Sequence, residues 1–119
     1  MTIKLNHLPV IDWKLGMKLA GNKKEVAEEL LDLFIKKLPI DLCTIKALHE
    51  TINYSGLQKE IHKLHGALCY CGAPRLKKLI SHLETELKNN IMVDLPSLLD
   101  QLDNEVNLLL KHHALEQSE

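Results

Sequence analysis

The sequence predicts an all-α domain, an antiparallel up-down four-helix bundle with a short extra N-terminal helix. Three features of the chain point to it. Hydrophobic residues make up 45% but aromatics only 3%, so the core must be built from aliphatic side chains, a composition that suits packed helices better than sheets. Apolar residues recur at steps of three and four along four long stretches, the period of a helix with one buried face. The breaks between these stretches are short, so consecutive helices must turn back on one another. At 119 residues residues 1–119 form a single domain with room for a real core, whose ordered part is expected over about residues 11–113.

Residues 1–10 show no period, end in Leu8-Pro9 and are expected to be extended. Asp12 can cap a short helix running to about Ala20, with Trp13 and Met17 facing the same way, and Gly21 ends it. Asn22 is expected to cap the second helix, with Glu25 completing the capping box. Pro39 would normally stop a helix. Leu30 or Leu31, Phe34 and Leu38 are expected to face inward, and Leu31, Phe34, Leu38, Leu42, Ile45, His49 and Ile52 keep phase across the proline. That continuity predicts one long helix over about 22–51, bent at Pro39; a break into two helices is the alternative.

Asn53 and Tyr54 are expected to form the next turn. Ser55 with Gln58 then reads as a capping box opening a third helix that runs to about Tyr70 or Cys71. Ile61, Leu64, Leu68 and Cys71 fall on its buried stripe, at about 100° per residue. Gly72-Ala73-Pro74 makes the joint to a fourth helix, where Pro74 stands in the first turn and its missing N–H costs nothing. Leu76, Leu79, Ile80, Leu83 and Leu87 point inward, and the helix ends near Lys88 at the Asn89-Asn90 break. Asp94 is placed to cap the last helix, with Pro96 in its first turn. Its stripe is Leu98 or Leu99, Leu102, Val106, Leu109 and Leu110. The tail from Leu115 is polar and expected to fray.

With 15 basic and 16 acidic residues and a net charge of −1, the chain has no general attraction for nucleic acid. No apolar run approaches the roughly 18 residues that span a bilayer, and the N-terminus lacks the apolar block of a signal peptide. Cys43, Cys69 and Cys71 are odd in number and include a C-x-C pair, which argues against a disulfide framework and for a reducing, cytoplasmic setting.

The chemistry concentrates in residues 61–87. His62, His65 and Cys69 lie along one edge of the third helix's apolar stripe, and Gly66, one turn past His62, leaves its surroundings bare. Lys77, Ser81 and Glu84 flank the stripe of the fourth helix. If the two helices fold back about residue 73, His62 lies eleven residues before that point and Glu84 eleven after it. With an equal rise per residue they reach the same height. A neutral imidazole is a nucleophile near pH 7 and can form a covalent intermediate. One ring nitrogen must attack while the other keeps its proton, and an acceptor at that second nitrogen fixes the tautomer. Glu84 is placed to be that acceptor for His62 Nδ1, leaving Nε2 to attack.

His62-Lys63-Leu64-His65-Gly66, followed by Gly72 and a leucine-rich helix ending in Leu83-Glu84, resembles the histidine-containing phosphotransfer (HPt) domain. The likeness is greatest to the C-terminal HPt domain of BarA-type hybrid sensor kinases. There it extends to Ile11-Asp12-Trp13, Leu38-Pro39, Tyr70 and Pro74-Arg75, covering about residues 11–113. The resemblance implies a carrier in a multistep His–Asp phosphorelay. His62 would accept a phosphoryl group from the aspartate of a receiver domain and pass it to the aspartate of a response regulator, with Glu84 orienting its ring. His65 stands where most of the family has a lysine or arginine that offsets phosphate charge, and a histidine can do so only when protonated; Lys77 is the second candidate cation. Gly66, Cys69, Gly72, Arg75 and Ser81 are the expected docking and binding positions. The resemblance further implies a domain that is no self-contained enzyme and binds no cofactor, the Mg²⁺ belonging to the partner receiver. The expected partners are receiver domains of the hybrid kinase and of a cognate regulator, with no nucleic acid and no direct membrane contact. The parent kinase would sit in the inner membrane with this domain on its cytoplasmic side.

Plainer readings stand beside these. His62, His65, Cys69 and Glu84 are acceptable zinc ligand types, but no H-E-x-x-H or paired C-x-x-C accompanies them. Gly66 can serve close helix packing, and Cys69 and Cys71 can be small core or boundary residues. His112-His113 reads as a charged C-terminal turn. A purely structural helical adaptor, with no chemical role for His62, is the remaining class.

Overall fold

The computed structural model describes residues 2–117. Five helices occur among them: α1 Trp13–Leu19, α2 Lys24–Glu50, α3 Tyr54–Leu68, α4 Pro74–Lys88 and α5 Leu95–Gln117. α2 packs on α3, α3 on α4 and α4 on α5, and α5 returns to α2, which closes a four-helix bundle; α1 lies against α2. The long axis of 40 Å is the span of the 27 residues of α2 at about 1.5 Å per residue. The core is the set of stripes read from the sequence: Leu31, Leu38, Ile45, Ile61, Leu68, Leu79, Ile80, Leu83, Leu102 and their neighbours are all buried.

Helix α2 continues through Pro39. The missing N–H costs about 3 kcal/mol. Burying Phe34, Leu38 and Ile45 on either side of it returns about 1.5–3 kcal/mol for each side chain, so packing decides the matter against propensity.

The caps follow local chemistry, and two differ from expectation. Asp12 accepts the Leu15 N–H at 3.0 Å and starts α1. Asn22 does not cap α2. It shares the left-handed region with Gly21, φ 65° and 68°, and its N–H turns back to the Met17 carbonyl at 2.7 Å. Asn22 therefore finishes α1, and α2 starts at an N-cap Lys23 without any side-chain cap. Likewise α3 is capped by Asn53, whose side chain accepts the Gly56 N–H at 2.9 Å, and not by Ser55. The turn falls at Thr51-Ile52, where Ile52 takes φ 55° and becomes exposed instead of ending the buried stripe.

Pro74 occupies the first turn of α4. The Asp94 carbonyl accepts the Leu98 N–H at 3.0 Å at the start of α5, where Leu98, not Leu99, enters the core. α5 stays helical past Leu115 to Gln117, where the polar composition predicts fraying. His113 is more than the end of a charged turn, since its Nε2 meets Asp32 Oδ1 on α2 at 2.6 Å. Packing also reaches beyond residues 11–113. Leu5 is buried, and the backbone of Ile3 exchanges two hydrogen bonds with the Gln101 side chain, at 3.1 and 2.8 Å.

Candidate functional site

The site depends on how α3 hands over to α4. Gly72 sits in that joint, and its carbonyl accepts the Asp12 N–H at 2.7 Å. A Cβ here would lie 2.2 Å from the Asp12 carbonyl oxygen and 2.9 Å from the Gly16 nitrogen. The glycine lets the start of α1 rest directly on the turn. Gly72, expected among the binding positions, is thus a packing contact that the backbone of α1 covers.

With the turn fixed, α3 and α4 run side by side, and the equal-height argument is met in contact. His62 Nδ1 hydrogen-bonds Glu84 Oε2. His65, one helical turn on, brings its own Nδ1 to Glu84 Oε1 at 2.9 Å. The carboxylate lies between two imidazoles, its side chain 8% exposed, while the His62 side chain is 71% exposed and that of His65 26%. Burial works against ionising Glu84. The hydrogen bonds from His62 and His65, with the charge of Lys88, outweigh it and hold the carboxyl below its ordinary range. An ionised carboxylate can only accept, so both rings present Nδ1–H to it. In the neutral form of the exposed His62 ring, the lone pair is then on Nε2.

Gly66 follows His62 by one turn on the exposed face, and a Cβ there would meet nothing within 4 Å. No packing among the described residues requires the glycine. Lys77 and Ser81 line a groove of about 570 Å³ together with His65 and Pro74, on one flank of the histidine pair. Lys63 lies on the opposite edge of α3, at a second groove of about 280 Å³ between α2 and α3. Its floor is apolar, formed by Leu30, Leu33, Phe34, Leu64, Ala67 and Tyr70, with Leu33 and Tyr70 exposed. The pattern of stripes does not by itself mark Leu30 and Leu33 as surface features. Leu33 falls outside the Leu31-Phe34-Leu38 stripe, and of the two candidates for its first position Leu31 enters the core while Leu30 stays half-buried.

Arg75 does not belong to this surface. Its guanidinium meets Glu105 of α5 at two points, Nε to Oε2 at 3.0 Å and a terminal nitrogen to Oε1 at 2.5 Å. The side chains are 16% and 7% exposed. The expected docking residue is a strut between α4 and α5, and Glu105 is its unforeseen partner. Cys69 is half-buried and Cys71 buried, both as free thiols, and burial pushes the Cys71 thiol up to about 11, which makes it inert as a nucleophile. Among the described residues no group of three or more His, Cys, Asp and Glu side chains is arranged to hold a metal ion, and no helix is long and apolar enough to cross a membrane.

Comparison with known proteins bears on the family and the fold. The family model described as Hpt domain matches residues 29–112. The chain is 33% identical over 103 residues to the sensor histidine kinase GacS of Pseudomonas protegens, covering 87% of this chain and 11% of that protein. It is 32% identical over 107 residues to the signal transduction histidine-protein kinase BarA of Escherichia coli K12, covering 86% of this chain and 12% of that one. The chain therefore spans only 11% to 12% of these relatives' length. Among solved structures, the HPT domain of a sensor hybrid histidine kinase from Shewanella matches with a TM-score of 0.81 at 29% identity, covering 91% of this chain and 95% of that one. Histidine-containing phosphotransfer protein B of Pseudomonas aeruginosa PAO1 shares the fold, with a TM-score of 0.79 at 20% identity over 92% of this chain and 96% of that one. A bundle of this topology, an exposed histidine in the H-x-x-H-G run and a family match across most of its length lead to one conclusion: the chain belongs to the Hpt domain family.

Proposed function

We propose that His62 is the phosphoacceptor of this phosphotransfer domain and that Glu84 is its orienting acid. The observation that carries the reading is a solvent-facing imidazole whose inner nitrogen is held by a buried, ionised carboxylate. In the forward step the Nε2 lone pair attacks the phosphorus of a receiver's aspartyl phosphate. The P–O bond to that aspartate breaks, and the aspartate leaves as a carboxylate. The ring keeps its Nδ1 proton and becomes a phosphorylated imidazolium, whose positive charge faces Glu84. Transfer to a second receiver reverses the same bonds. The Hpt chain supplies positioning and charge, the dominant contributions in phosphoryl transfer, and the Mg²⁺ that neutralises the phosphate belongs to the receiver.

The open space at Gly66 gives an incoming aspartyl phosphate access to Nε2. The apolar groove beside α3 offers the receiver a docking surface, and contacts of this transient kind bury less than about 1,200 Å² in total. The chain is read as one domain of a larger hybrid sensor kinase, acting on the cytoplasmic side. Incubation with a phosphorylated receiver domain tests the assignment. Acid-labile label should move to this chain and disappear in His62→Gln. Label that survives that change but is lost in His65→Gln would move the phosphoacceptor to the other histidine.

A further inference from the structure

The position three residues after His62 carries another histidine, and the structure turns it inward. His65 spends its Nδ1 on Glu84 Oε1 at 2.9 Å, while His62 uses Oε2 of the same carboxylate. A proton on Nδ1 is required by an acceptor-only partner, so a neutral His65 has no second N–H to offer a phosphoryl group. Its side chain is 26% exposed against 71% for His62, so it is also the less accessible of the two rings. The last torsion of a glutamate is soft and broad. A carboxylate held at one oxygen swings about that torsion, whereas one held at both oxygens keeps its plane.

We infer that His65 is a positioning residue for phosphotransfer: it pins the second oxygen of Glu84 and so keeps the first aimed at His62 Nδ1. The inference rests on His62 being the phosphoacceptor. It gives His65 a role through Glu84 and leaves the offsetting of phosphate charge to other groups.

Asparagine separates the two roles. Its side-chain nitrogen stands the same number of bonds from the backbone as histidine Nδ1, and it donates a hydrogen bond without ever carrying charge. The full chain and its His65→Ala and His65→Asn variants are labelled with phosphoramidate, a small donor that needs no docking partner. Long-range ¹H–¹⁵N spectra of the unphosphorylated forms read the His62 tautomer. His65→Ala is expected to label about tenfold more slowly, the effect of losing one hydrogen bond to a charged group, and to show a mixed His62 tautomer. His65→Asn is expected to restore both the rate and the Nδ1–H tautomer. Alanine matching wild type in rate and tautomer would overturn the inference, and so would an asparagine variant as slow as alanine. If wild-type His62 takes no label, the phosphoacceptor assignment itself fails. The tautomer spectra then decide only whether His65 pins Glu84 toward His62: a mixed tautomer in alanine restored in asparagine upholds the pinning, and an unchanged one refutes it.

Discussion

Glu84 loses most of its water on folding and gains two imidazoles in exchange. Desolvation alone would raise its pKa. The hydrogen bonds from His62 and His65, together with Lys88, bring the net shift below the ordinary carboxyl value. A pKa lower in the folded chain than in the unfolded one means that the ionised form favours the fold. That contribution is complete above the ordinary glutamate range and is lost as pH falls through the lowered folded value. Glu84→Gln is therefore expected to cost about 1–3 kcal/mol near neutral pH, with the deficit shrinking on acidification. Urea unfolding at a series of pH values reads this directly, and parallel stability curves for the two proteins would contradict it. The pairing of His62 with Glu84 was legible in the sequence, because two helices of equal rise about a known joint fix which residues meet. The second contact, from His65, was not. Residue spacing placed it on the correct edge but could not say whether its ring turns to solvent or to the acid.

At the scale of the elements, the buried stripes were legible because periodicity is local and is repeated several times in each helix. Caps were less so, since each rests on a single residue with close competitors. Asn22 had the chemistry to open α2, but Gly21 and Asn22 were both needed in the left-handed turn that closes α1. Ser55 lost to Asn53 because the turn fell at Thr51-Ile52 and left Asn53 two residues earlier as the first side chain in reach. The two glycines near the site separate in the same way. Gly66 faces open space, and Gly72 faces the backbone of α1. Gly66→Ala is expected to stabilise the chain by up to about 1 kcal/mol through helix propensity. Gly72→Ala is expected to destabilise it by roughly 1–3 kcal/mol, because α1 must shift to admit a methyl group. Chemical denaturation of the two variants checks the opposite signs. Gly66→Leu should slow transfer from a phosphorylated receiver while leaving stability near wild type, and equal damage to both would return Gly66 to a packing role.

Across the whole molecule, the contacts the sequence did not disclose join residues far apart in the chain. Arg75 and Glu105 are thirty residues apart, Asp32 and His113 eighty-one, and Ile3 and Gln101 ninety-eight. No local pattern encodes such a pair; each depends on the angle at which one helix crosses another. For Arg75 the difference reaches function. As a docking residue it would contribute to partner binding, and its loss would weaken transfer from a receiver without touching stability. As a half-buried strut its loss strands the buried Glu105 carboxylate, which costs roughly 3–5 kcal/mol. The structure favours the strut, so Arg75→Ala should unfold at markedly lower urea concentration. Replacing both partners by apolar residues of similar size, Arg75→Met with Glu105→Leu, should recover most of that loss, since a buried pair repays its desolvation only by being complete. Labelling of His62 by phosphoramidate should be unchanged in the double variant under folding conditions, and transfer from a phosphorylated receiver should be unchanged with it. A double variant that is stable yet slow with the receiver would put Arg75 back on the docking face.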